Sequence, residues 1–236
     1  QEKIVPEFAV ITEPTNLNIY RGHRGRMEIE IYFEGKSAHG SMPEMGDNAI
    51  YKAARASLLV EQLNEKLRTD DFLGKGTVTT SEIVSQSPSL CAVADMAKIH
   101  LDRRLTAGET KESAIAEITD ILKNIPHKIV VPVYDRISYK GTAFSQEKYY
   151  PTWKIPVDSP LLTSAAKTYR ELFKEKPVID KWTFSTNGVA ICGKHNIPSI
   201  GFGPGNEIFA HAPNEKIPVS DLVRASAFYA ALPYFL

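Results

Sequence analysis

The feature that most constrains this chain lies near its end: Gly201-Phe202-Gly203-Pro204-Gly205-Asn206-Glu207-Ile208-Phe209-Ala210-His211-Ala212-Pro213-Asn214-Glu215. Three glycines and a proline in five residues exclude regular structure and let backbone pass close to something else. Ile197-Pro198-Ser199-Ile200 just before reads as a short buried strand. The stretch is therefore a loop at a strand's C-terminal end, where open α/β sheets place ligands. It delivers His211, which alone reads as structural or solvated. A second stretch of the same kind stands near the start. Phe8-Ala9-Val10-Ile11-Thr12 has buried-strand length, and the proline of Glu13-Pro14-Thr15 keeps Glu13 extended at the strand's C-terminal edge. Alone, Glu13 is an ordinary loop glutamate. A strand-end carboxylate and a strand-end histidine, one from each end of the chain, suit one metal-binding edge of a sheet.

The sequence between them reads as a separate unit. Arg21-Gly22-His23-Arg24-Gly25-Arg26 is a basic, glycine-broken crossing without periodicity. Met27, Ile29, Ile31 and Phe33 then alternate with Glu28, Glu30, Tyr32 and Glu34, the pattern of a half-buried strand. A loop over 35–43 carries His39. The next helix opens near Asp47-Asn48 and runs to about Leu67. Its apolar residues (Ile50, Ala54, Leu58, Val60, Leu63, Leu67) cover more than one stripe, as in a helix packed on its own sheet and on a partner. Residues 77–84 and 94–105 predict two further strands. Thr106-Ala107-Gly108-Glu109 has the spacing of a capping box before a helix with Ile115, Ile118, Leu122 and Ile125, which Pro126 stops. Residues 128–134 make a fourth strand. The order β-α-β-β-α-β is that of a ferredoxin-like sandwich, expected over 25–135.

The flanks, 1–24 and 136–236, alternate strand and helix as part of an α/β domain. Residues 136–157 lack periodicity and hold Lys148-Tyr149-Tyr150-Pro151-Thr152-Trp153, a run that either lines a pocket or packs a linker. A helix is expected over 160–175 and a short strand at 178–180. Trp182 through Gly188 leads into a short helix ending at Gly193, and Ser220 caps the last helix. Apolar content of 43% and charged content of 24% are ordinary for a soluble globular protein. Zero net charge speaks against nucleic acid or an acidic membrane surface as partner, and no apolar run nears the ~20 residues of a membrane helix. Two cysteines, Cys91 and Cys192, give no disulfide framework and point to a reducing, cytoplasmic compartment. Gln1 is not an initiator methionine, so the natural N-terminus is expected upstream.

Glu13-Pro14, the loop 35–43, Asp102-Arg103-Arg104-Leu105-Thr106-Ala107-Gly108-Glu109 and the Gly201 to Glu215 stretch stand in an order and spacing that resembles the di-zinc metallopeptidases. That family includes acetylornithine deacetylase, succinyl-diaminopimelate desuccinylase and the aminoacylases. Within it the chain looks most like the YgeY-type hydrolases linked to selenium metabolism. Tyr20-Arg21-Gly22-His23-Arg24-Gly25-Arg26-Met27-Glu28, Leu90-Cys91-Ala92-Val93-Ala94-Asp95 and Lys181-Trp182-Thr183-Phe184-Ser185-Thr186-Asn187-Gly188 carry that closer match.

The resemblance implies the C-terminal part of an α/β catalytic domain with an inserted ferredoxin-like lid and dimerisation domain. It implies two zinc ions, or other divalent metals, in the complete enzyme. Glu13 matches a ligand of one ion and His211 a ligand of the other. His39 matches a lid histidine that reaches the partner subunit's active site in a homodimer and steadies the developing oxyanion. Arg104 matches a residue that holds a substrate carboxylate, the alternative being a salt bridge with Asp102 or Glu109. The backbone of Gly203 to Gly205 would approach the substrate, with Thr186 and Asn187 nearby. Cys91 replaces an asparagine common in the family. The family's N-terminal half is expected to lie outside this chain, with its His-x-Asp motif, bridging aspartate and paired glutamates. The implied activity is metal-dependent hydrolysis of a small N-acyl amino acid or dipeptide-like amide, with this chain alone inactive. The alternative is a non-catalytic dimerisation or small-molecule-binding module.

Overall fold

The computed structural model describes residues 5–236. In chain order its elements are β1 (Ala9–Ile11), β2 (Ile19–His23), β3 (Gly25–Glu34), α1 (Ala49–Lys66), β4 (Thr69–Asp70), β5 (Gly74–Lys75), β6 (Thr77–Gln86), β7 (Met96–Leu105), α2 (Lys111–Ile121), β8 (Lys128–Val130), β9 (Val133–Tyr134), β10 (Gln146–Glu147), β11 (Tyr149–Tyr150), β12 (Trp153–Lys154), α3 (Pro160–Phe173), β13 (Ile179–Trp182), β14 (Ser199–Gly201) and α4 (Val219–Ala231). They fall into two compact units, one of residues up to Arg24 with Pro151–Leu236 and one of Gly25–Tyr150. Residues 136–150, expected in the flanks, group with the inserted unit. Tyr149 and Tyr150 form β11 on the edge of β3, opposite Met27 and Arg26.

In the inserted unit the alternation of β3 becomes burial: Met27, Ile29, Ile31 and Phe33 are fully enclosed. β3 pairs antiparallel with β7 along its whole length, β8 flanks β3, and β6 flanks β7. The order β8-β3-β7-β6 is the ferredoxin-like one. α1 and α2 bury Ala53, Val60, Ala114 and Ile118 in one core with the inward residues of the sheet. The opposite face carries ion pairs, among them Glu30 with Lys98 (2.8 Å) and Glu28 with Lys148 (2.7 Å).

Several local expectations change. Asn48 caps α1, but the buried stripe is Ala49, Lys52, Ala53, Ala56 and Val60, while Ile50, Tyr51 and Leu58 face solvent. Thr110 and Ser113 form the capping box of α2; Glu109 instead accepts from the Thr106 amide and holds the buried Arg103. The expected strand at 128–134 splits into β8 and β9 around Pro132, which has no amide to donate. The ribbon β4–β5 was not foreseen; Asp70 turns it by accepting from the Phe72 and Leu73 amides.

The two-piece unit is a mixed sheet. β1 runs parallel to β14, and β2 pairs with β14, β12 and β13. β2 occupies part of the stretch read as a crossing. Arg21 and Gly22 break its apolar pattern, and Gly22 is required because a Cβ there would lie 2.5 Å from the Trp153 carbonyl oxygen. α3 and α4 cover the sheet with Leu162, Tyr169 and Phe228 around Phe202. Ser220 sits inside α4, whose cap is Pro218. Among the described residues no helix is long and apolar enough to cross a membrane.

Candidate functional site

The parallel register Ala9↔Ser199, Val10↔Ile200, Ile11↔Gly201 sends both strands out at the same sheet edge. The Glu13 and Gly203 loops therefore leave together, and they are stitched to each other. A Cβ on Gly203 would stand 2.2 Å from the Glu13 carbonyl oxygen, so only glycine permits this approach. The Thr15 and Leu17 amides donate to the Gly203 carbonyl (3.3 and 3.1 Å), and the Asn16 amide donates to that of Gly205 (2.7 Å). The Gly203 amide in turn donates to Thr15 Oγ1 at 3.0 Å. Asn16 and Leu17 pay for the tight turn with left-handed backbone, φ of 54° and 59°. Burial of the Leu17 side chain holds that strained turn in place.

Beneath this edge lies an aromatic cluster. The Trp182 indole N–H donates to the Pro14 carbonyl at 2.9 Å, and its ring lies where a Gly201 side chain would stand. Tyr20, His23 and Trp153 meet Trp182 at ring distances of 5.2, 6.0 and 6.2 Å. His23 is fully enclosed, and burial pushes its pKa down to about 4. Its Nε2 accepts from the Thr186 amide at 3.0 Å, and its Nδ1 donates to the Arg24 carbonyl at 2.8 Å. Thr186 is thus buried in a hydrogen-bonded turn, whereas its neighbour Asn187 is exposed. Burial, with Asp180 adding to it, raises the pKa of Glu207. Burial and the nearby Glu207 and Asp180 carboxylates push Tyr20 up to about 12. His23, Trp182 and Glu207 were not singled out as site residues from sequence. The sequence signal for His23 is its place beside Gly22 in a strand-length run.

Glu13 and His211 are both exposed on loops. His211 has a left-handed φ of 62°, and its amide donates to the Glu215 carboxylate at 3.2 Å. Among the described residues, no three His, Cys, Asp or Glu side chains converge as a metal-holding group. Glu13 and His211 do not by themselves fit a zinc centre, which normally takes three protein ligands.

His39 and Arg104 belong to the inserted unit. The His39 loop is pinned by backbone: the Gly40 amide donates to the Cys91 carbonyl (2.7 Å) and the Val93 amide to that of Ala38 (2.8 Å). Cys91 thus fixes this loop through its main chain. The Ser41 amide donates to His39 Nδ1 at 3.2 Å, so the neutral ring carries its proton on Nε2, and the side chain is exposed. Arg104 turns its fork onto Asp102, with Nε and Nη2 donating at 2.7 and 3.1 Å. This is the ion pair that the sequence left open, with Asp102 rather than Glu109 as its carboxylate.

Residues 21–130 match the Peptidase dimerisation domain of the M20 type. Over 235 residues the chain is 52% identical to protein YgeY of Escherichia coli strain K12, covering 99% of this chain and 58% of that protein. It is 25% identical to acetylornithine deacetylase of Proteus mirabilis over 221 residues, which covers 92% of this chain and 53% of the enzyme. Its fold resembles the crystal structure of aminopeptidase PepT from Bacillus cereus, with a TM-score of 0.71 at 20% identity, over 97% of this chain and 57% of that one. The chain spans little more than half the length of the relatives it matches. Along nearly all its length the chain is similar to part of YgeY and of acetylornithine deacetylase, and over residues 21–130 it is similar to the M20-type peptidase dimerisation domain.

Proposed function

We propose that this chain supplies part of the active site of a metal-dependent amidohydrolase that cleaves a small N-acyl amino acid or dipeptide-like amide bearing a free carboxylate. The observation that carries this reading is the stitched edge at which Glu13 and the Gly203–Gly205 backbone leave the sheet together. Glu13 and His211 each offer one ligand, to different zinc ions, and the remaining ligands and the general base come from residues outside this chain. Metal at that edge would polarise the amide carbonyl. This chain's own part is to seat the substrate. Gly203 and Gly205 offer close-lying backbone, Thr186 and Asn187 line the neighbouring turn, and Arg104 takes the carboxylate after exchanging it for Asp102. His39, protonated on Nε2, donates to the oxyanion of the partner subunit's site. The M20 dimerisation domain and the exposed apolar face of α1 support a homodimer. The two free cysteines fit a cytoplasmic setting.

Zinc titration and an N-acyl amino acid hydrolysis assay test this division of labour. The chain alone is expected to bind zinc weakly and exchangeably and to show no turnover, because one ligand per ion leaves coordination to water. Two tight zinc sites, or zinc-dependent turnover by this chain, would show the ligands to be misassigned.

A further inference from the structure

We propose that His23 is a positioning residue for the Thr186-Asn187 segment, a neutral imidazole whose Nε2 is a fixed acceptor for that segment's main chain. The functional value of the arrangement rests on the reading above that Thr186 and Asn187 meet the substrate; the arrangement itself does not.

Two backbone partners dictate the tautomer. The Thr186 amide can only donate, so Nε2, 3.0 Å away, must present its lone pair. The Arg24 carbonyl can only accept, so Nδ1, 2.8 Å away, must carry the proton. The Thr186 hydroxyl accepts from the Gly188 amide at 3.1 Å and lies 3.0 Å from Nε2, to which it turns its own proton. One nitrogen thus gathers the amide and the hydroxyl of the same residue and, through that hydroxyl, the start of the turn at Gly188. Both ring nitrogens are used on protein groups, which leaves His23 no lone pair for a metal and no free site for a substrate proton.

The enclosure makes this geometry rigid. Trp153 and Trp182 face the ring edge-on at 5.4 and 6.0 Å, with interplanar angles of 79° and 70°. A Cβ on Gly188 would stand 2.4 Å from the Trp153 indole, so the turn is seated directly on the cluster. The Trp182 that borders His23 also holds the Pro14 carbonyl next to Glu13. The turn of Thr186 and the loop of Glu13 are therefore referred to the same buried rings. Asn187, exposed and one residue on, has its backbone direction set by this anchor, which is the preorganisation a substrate contact needs.

Long-range proton–nitrogen NMR of the imidazole rings in the full chain tests the tautomer. The prediction is a His23 ring that stays neutral with its proton on Nδ1 from about pH 5 to about pH 8. An Nε2-protonated ring, or one that becomes charged within that interval, overturns the proposal. Amide exchange then tests the anchor. His23→Ala should speed exchange at Thr186 by about tenfold, the loss of one hydrogen bond, and His23→Gln, whose amide oxygen can reach the Nε2 position, should restore most of it. Unchanged exchange at Thr186 in His23→Ala overturns the anchor. In the complete enzyme, KM should rise about tenfold in His23→Ala with kcat nearly kept, and His23→Gln should recover it. Faster Thr186 exchange with unaltered KM would leave the anchor standing and instead remove Thr186 and Asn187 from the substrate site.

Discussion

Arg103 and Glu109 illustrate what single residues decide here. Their side chains are 1% and 3% exposed, and Arg103 Nη2 bridges Glu109 at 2.7 Å and the partly exposed Glu117 at 2.9 Å. Glu109 also accepts from the Thr106 amide, so one carboxylate serves a buried charge and a buried backbone donor. Glu109→Ala should destabilise the protein by about 3 kcal/mol in urea melts, because it leaves the buried Arg103 with only the partly exposed Glu117 and the Thr106 amide with no acceptor. Arg103→Met together with Glu109→Gln, which keeps an acceptor for the Thr106 amide, should cost far less, and equal losses in the two variants would contradict this account. His23 makes a second residue-scale prediction. Its pKa falls from 6.5 to about 4 on folding, so between those values the unfolded chain takes up a proton that the folded chain refuses. Stability from this group is complete above pH 6.5 and drains away as pH falls toward 4, by roughly 3 kcal/mol in all. The stability difference between wild type and His23→Gln should shrink over that acid window; a difference independent of pH would refute the linkage. Neither residue was legible as important in the sequence. Asp102-Arg103-Arg104 presents two arginines of identical chemistry, and only strand alternation assigns Arg103 to the helix side and Arg104 to the polar face.

At the scale of elements, legibility followed the strength of the pattern. β3 and β7 alternate cleanly over ten residues each and were readable to within about two residues, because one face of the sheet is dry and the other ion-paired. β2 was not readable: it pairs with three strands, and its glycine is there for a neighbour's carbonyl rather than for a turn. The capping box was misplaced by four residues because Thr106–Glu109 and Thr110–Ser113 both offer a hydroxyl before a polar residue, and Arg103 draws Glu109 away. α1 showed more than one apolar stripe, and its outer residues Ile50, Tyr51 and Leu58 are 39%, 63% and 59% exposed, beside a groove whose lining includes Leu58, Val78 and Thr80. The edge strand β6 exposes Ile83 on the helix side of the sheet as well. A second copy covering this face would bury about 1,000 Å² or more. Sedimentation should therefore find a dimer at tens of micromolar (roughly the range where such an interface holds), and Leu58→Asp with Tyr51→Asp should yield monomers of unchanged helix content. A monomeric wild type would remove this interface.

At the scale of the whole molecule, the chain is two compact units, and its candidate site residues are divided between them. Glu13, Thr186, Asn187, Gly203, Gly205 and His211 lie in the two-piece unit, and His39 and Arg104 lie in the inserted one. The strand-end logic of the sequence foresaw the convergence of the Glu13 and Gly203 loops, since parallel pairing of β1 and β14 requires it. It could not foresee the cluster beneath, whose members Tyr20, His23, Trp153 and Trp182 come from three separate strands and show no common period. The proposed function makes the central claim: each active site would join the Glu13 edge of one subunit to His39 of another. Complementation in the complete enzyme tests it most directly. His39→Ala and Glu13→Ala should each lose about 10² or more in kcat as separate homodimers. Mixed and re-equilibrated, they should recover about a quarter of the wild-type rate, because half the dimers are mixed and each mixed dimer keeps one intact site. Activity no greater than the sum of the two separate variants would contradict the claim.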